Sequence, residues 1–130
     1  MNLAAYKRIL FIGALWNLLG GVFIILATRR IFASAGLPVP APGAYYWSWI
    51  ALFMTFGLGY YLASRDMYRN RDIVLLGAIG KVAFALTFLY YYVAEPGQLP
   101  LFFLIPVIGD LIFATLFVMF LRFARARGYR

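Results

Sequence analysis

The sequence predicts an all-α fold, an integral membrane four-helix bundle that runs up-down-up-down with both termini on the cytoplasmic side. Three observations lead there. The 130-residue chain is 65% hydrophobic and 12% charged, with a mean hydropathy of +0.87, which is too apolar for a soluble domain of this size. Four apolar runs are long enough to cross a hydrocarbon core of about 30 Å at roughly 1.5 Å per residue. The basic residues, which give a net charge of +8, stand in short clusters beside those runs. No Gly/Ser/Pro-rich linker divides the chain, so residues 1–130 are expected to form a single transmembrane domain.

The first run, Ile9 to Ala27, follows Lys7 and Arg8 and precedes Arg29-Arg30. With Ala33-Ser34-Ala35 beyond it, it resembles a signal peptide and its cleavage site. Its apolar stretch exceeds a signal core and the two arginines intervene, so it is read as a retained helix. The outer loop, residues 28–45, carries Pro38, Pro40 and Pro42, each lacking an amide donor and disfavouring helix before it. Irregular backbone over the outer mouth is expected there, after a short interfacial turn at Arg30 to Ala35.

The second run, Tyr46 to Ala63, enters through Tyr45, Tyr46, Trp47 and Trp49, and the third, Ile73 to Ala94, leaves through Tyr90, Tyr91 and Tyr92. Such rings prefer the headgroup level, which places both groups on the outer side. Between them the cytoplasmic loop, residues 64–72, alternates cations with acids, a pattern of topology signals and local salt bridges. The fourth run, Leu101 to Phe120, contains Pro106, whose missing amide predicts a modest kink. The two later connections are short, so sequence neighbours should pack antiparallel.

Orientation follows from Lys and Arg. Lys7, Arg8, Arg65, Arg69, Arg71, Arg122, Arg125, Arg127 and Arg130 fall on one side, and Arg29 and Arg30 on the other, so the first side is cytoplasmic. Arg65, Arg69, Arg71, Arg122, Arg125 and Arg127 would then face anionic lipid. The same clustering beside apolar runs argues against a nucleic-acid partner.

The twelfth cation, Lys81, lies inside the third run, and Asp110 lies inside the fourth. Charges at mid-bilayer cost about 2.5–3.5 kcal/mol each on insertion scales, so each asks for a partner or a function. Lys81 is nine steps past Asp72 and Asp110 nine steps past Leu101, each roughly 13 Å deep from opposite sides. A Lys81–Asp110 contact is therefore expected at the midplane. Asn17 and Thr55 reach similar depth, which predicts a polar layer of Asn17, Thr55, Lys81 and Asp110 with one group per helix. Glycines and alanines share those faces, as in close helix packing, and Phe84, Phe88, Phe113 and Phe117 are the expected pocket lining.

Two roles remain open for the layer: a structural clamp in an accessory or scaffold subunit, or a site that binds or passes a small amphiphile, an anion or a proton. A void beside Lys81 would distinguish them. Without Cys or His, and with only four scattered acids, no metal site, haem or triad is legible and no cofactor is expected. A Lys/Asp couple could in principle isomerise a lipid-soluble substrate, but no oxyanion site or cofactor motif accompanies it, so an enzyme ranks last. Homo-oligomerisation through glycine faces, or a membrane partner, is compatible with so slim a core.

The segments Trp16-Asn17-Leu18-Leu19-Gly20-Gly21, Gly57 to Asp66, Gly80-Lys81 and Gly109 to Ala114 resemble small bacterial four-helix membrane proteins, broadly DoxX-like. The resemblance spans most of the chain through loose motifs. It implies a multi-pass protein of the bacterial inner (cytoplasmic) membrane, in a group with some accessory subunits of redox or stress systems, and implies no reaction. Small multidrug-resistance transporters share the length and helix number, but they use a glutamate in the first helix, where this chain has Asn17.

Overall fold

The computed structural model describes residues 2–128; Arg130 of the basic tail lies outside them. The described chain is helical: α1 (Leu3–Ser34), α2 (Gly43–Arg65), α3 (Arg71–Ala94), a single 3-10 turn (Leu101–Phe103) and α4 (Leu104–Ala126). Three helical stretches, Leu3–Ser34, Arg71–Ala94 and Leu101–Ala126, are long and apolar enough to cross a membrane. α2, at 23 residues, is the shortest of the long helices together with α4 and is not one of these three; it carries four Tyr and two Trp.

Local chemistry sets the ends. Asn2 caps α1 by accepting the Ala5 amide at 2.9 Å, which satisfies one of the orphan donors of the first turn. At the other end α1 does not stop near Ala27. It continues through Arg29 and Arg30 to Ser34, which corrects the expected interfacial turn at Arg30 to Ala35. Gly36 ends it at φ 68°, with its amide donating to Ala33 and the Leu37 amide to Phe32, both at 3.0 Å. This pairing satisfies two terminal carbonyls and needs a left-handed residue, which glycine adopts without a Cβ penalty. Pro38 then blocks any continuation.

Pro106 lies in the first turn of α4, just after the 3-10 turn, where amides lack intrahelical partners in any case. The 64–72 connection is tied mainly by local hydrogen bonds: Asp66 accepts the Arg69 amide at 3.1 Å, and Asn70 donates to the Asp66 carbonyl at 2.8 Å. A partly exposed Arg71–Asp72 pair at 3.7 Å adds little.

The helices pack as two hairpins. α1 lies closely along α2 and α3 along α4, while the seams between hairpins, α2 with α3 and α1 with α4, are looser. Two buried clusters fill the bundle. Tyr6, Leu10, Tyr60, Val74, Phe117 and Phe120 belong to the one at the end carrying both termini. Ile24, Phe32, Tyr46, Ile50 and Phe103 belong to the one at the opposite end. The outward faces are apolar as well, with Leu26 81% and Val93 82% exposed. Apolar character therefore does not select which face turns inward. Close fit does, with glycines set against large side chains.

Candidate functional site

The buried charges lie between the two clusters. On α3 the buried positions Val74, Gly77, Ala78, Lys81 and Ala85 follow the helical period, as do Val107, Asp110, Ala114 and Phe117 on α4. Lys81 and Asp110 are thus carried inward on the stripes that pack their hairpin. Lys81 Nζ lies 2.5 Å from Asp110 Oδ1, and both side chains are 3% exposed. The expected pairing is present.

Asn17 joins them from α1. Its carbonyl oxygen accepts from Lys81 Nζ at 3.0 Å, and its amide donates to the Phe53 main-chain oxygen at 2.8 Å. Each hairpin therefore holds one internal polar link at this depth, Asn17 to Phe53 in the first and Lys81 to Asp110 in the second. The Lys81–Asn17 bond connects the two. Ring faces surround the ammonium, with Tyr60, Phe113 and Phe53 centroids 5.3, 5.5 and 6.0 Å away. Such rings favour a desolvated cation.

Thr55 is not part of this layer. It is exposed, and its hydroxyl donates to the Ala51 carbonyl of its own helix at 2.9 Å. Its depth matches but its direction does not, because the face of α2 that meets α1 passes through Gly57. A Cβ there would stand 3.0 Å from Asn17 Cβ and 3.2 Å from the Ala14 carbonyl oxygen. The bare backbone lets α1 approach and leaves the Phe53 oxygen, one turn earlier, open to Asn17. The contribution of α2 is a main-chain carbonyl, and glycine at the position four residues on is the sequence signal for it.

A cavity of about 340 Å³ opens at the α2–α3 seam and reaches Asn17, Lys81 and Asp110. Its walls are mainly aromatic: Trp49, Phe53, Phe56, Phe84 and Phe88. Trp49 and Phe84 lie parallel, with centroids 5.8 Å apart and planes 5° apart. Of the four expected lining residues, Phe84 and Phe88 face this cavity. Phe113 instead stands beside Lys81 and next to Trp16. Phe117 is fully buried against Tyr60 at 4.9 Å, in the terminal-side cluster. Both lie on the α4 stripe that packs inside the bundle, away from the seam.

Gly80 also lines the cavity and has open space where a side chain would begin, unlike Gly77, whose added Cβ would strike the Tyr60 ring. Close packing therefore explains Gly77 and not Gly80. On the far side of the pair Trp16 covers Gly109. Its buried indole N–H makes no hydrogen bond among the described residues. Among the described residues no three His, Cys, Asp or Glu side chains gather as a metal set.

The arrangement can hold the polar end of a molecule against the ammonium while aromatic walls enclose the remainder. No protein-family model, curated protein or solved structure matches the chain.

Proposed function

We propose that this protein spans the membrane with all four helices and binds a small neutral amphiphile from the bilayer in the α2–α3 cavity, its polar end on Lys81. The observation that carries this reading is the opening itself: a buried ion pair serving only as a clamp needs no void beside it. The cavity volume of about 340 Å³ falls within the range of roughly 300–1,000 Å³ usual for small-molecule sites.

Charge balance favours a neutral head over an anion. Lys81 and Asp110 already cancel, so a bound anion would leave net charge in an aromatic-walled space. An ammonium has three donors, and Asp110 and Asn17 take two, which leaves one for a carbonyl or hydroxyl oxygen of the ligand. The distribution of arginines supports cytoplasmic termini, and the DoxX-like resemblance supports a bacterial inner membrane. An accessory subunit with Lys81 and Asp110 as a clamp is the second reading, favoured by the near-complete burial of both side chains.

Gly80→Phe tests the proposal, because it adds bulk where the cavity wall is open. Protein purified from membranes is extracted with organic solvent and the extract analysed by mass spectrometry. Wild type should carry a lipid-soluble molecule at near-stoichiometric amount that the equally folded variant lacks. Equal recovery from both would refute the binding reading.

A further inference from the structure

The seam opposite the α2–α3 cavity holds a second space of about 480 Å³ between α1 and the start of α4. Leu15, Leu19 and Phe23 line it from one side and Phe102, Ile105 and Pro106 from the other. Every lining residue is apolar, aromatic or glycine, so the groove suits a hydrocarbon chain.

Arg30 extends the same stripe of α1. It stands eleven residues after Leu19 and seven after Phe23, within about 20° of both around an ideal helix, whereas Arg29 is turned about 100° away. Because α1 stays helical to Ser34, this alignment is continuous. From the level of Asn17 to Arg30 the rise is roughly 20 Å, beyond the roughly 15 Å half-thickness of the hydrocarbon layer. Arg30 therefore reaches headgroup depth directly above the groove. It is exposed and in no ion pair among the described residues. Glu95 is the single acid of the sequence at that end, so a second copy of this chain offers little to neutralise it.

We propose that this groove holds one acyl chain of an anionic phospholipid whose phosphate pairs with the Arg30 guanidinium. The inference rests on the membrane reading and is independent of the α2–α3 cavity.

The test is native mass spectrometry of the full chain in neutral detergent, titrated with palmitoyl-oleoyl-phosphatidylglycerol or the matching phosphatidylcholine. One phosphatidylglycerol should bind per chain with about fivefold preference, the factor expected for one basic side chain at an anionic headgroup. Arg30→Gln should abolish the preference, and Arg29→Gln should leave it. Gly20→Phe should lose both lipids, since its Cβ would meet only the Phe53 ring, at ordinary contact distances of 3.7 and 3.9 Å. Equal binding of the two lipids, or equal effects of the two arginine changes, overturns the assignment. So does a dimer that Gly20→Phe disperses, which would give the groove to a second copy. A chain that stays soluble without detergent overturns the membrane reading instead.

Discussion

Asn17 donates to the Phe53 carbonyl oxygen at 2.8 Å while accepting from Lys81 at 3.0 Å, so one amide ties α2 to the charge pair of the other hairpin. Replacing it with leucine removes an acceptor from a buried ammonium. We expect Asn17→Leu to cost about 1–3 kcal/mol, the usual penalty for an unsatisfied buried group, read from unfolding in mixed micelles. Gly57→Ala should disturb the same bond by holding α1 away from α2. The two changes together should then cost less than their sum. Strict additivity would separate Gly57 from the role given to it.

Gly77 and Gly80 are three residues apart on α3 and should respond oppositely. A Cβ at Gly77 meets the buried Tyr60 ring, so Gly77→Ala should destabilise by about 1–3 kcal/mol, as overpacking does. A Cβ at Gly80 meets nothing within 4 Å, and Gly80→Ala should be neutral or stabilising by up to about 1 kcal/mol through helix propensity. Thermal melts of the two variants in one detergent check this. A similar loss at both positions would contradict the open wall at Gly80.

Thr55→Val should change neither ligand recovery nor stability beyond about ±0.5 kcal/mol, because the hydroxyl is exposed and bonds only to its own helix. Loss of the co-purified molecule in this variant would return Thr55 to the site.

The sequence exposes the depth of a group more readily than its direction. Counting residues at a fixed rise places Lys81 and Asp110 at one level, and the apolar runs between basic clusters supply the number of helices. Direction depends on which face a neighbour covers, and here both faces of each helix are apolar. That is why depth and spacing alone assign Thr55, Phe113 and Phe117 to the layer or lining, although none faces the cavity. The Phe53 carbonyl was invisible because every residue has one; only Gly57, a turn later, marks it as accessible. The signal that marks the end of α1, and that apolar run length passes over, is Gly36 followed by Pro38: a residue that takes the left-handed stop and one that cannot continue a helix. Apolar run length, broken by Arg29 and Arg30, points to an earlier end, yet α1 carries both arginines on its exposed surface and continues to Ser34.

Removing the charge pair without leaving either partner alone asks most directly whether Lys81 and Asp110 bind a molecule or only clamp the bundle. Lys81→Met and Asp110→Leu should each cost about 3–5 kcal/mol by leaving an uncompensated buried charge, while the double variant should return near wild-type stability. Ligand recovery is then measured on the double variant, which folds but lacks the donor. We expect a melting temperature close to wild type with the co-purified amphiphile absent; undiminished recovery of that molecule would contradict the binding role and leave the pair as a clamp.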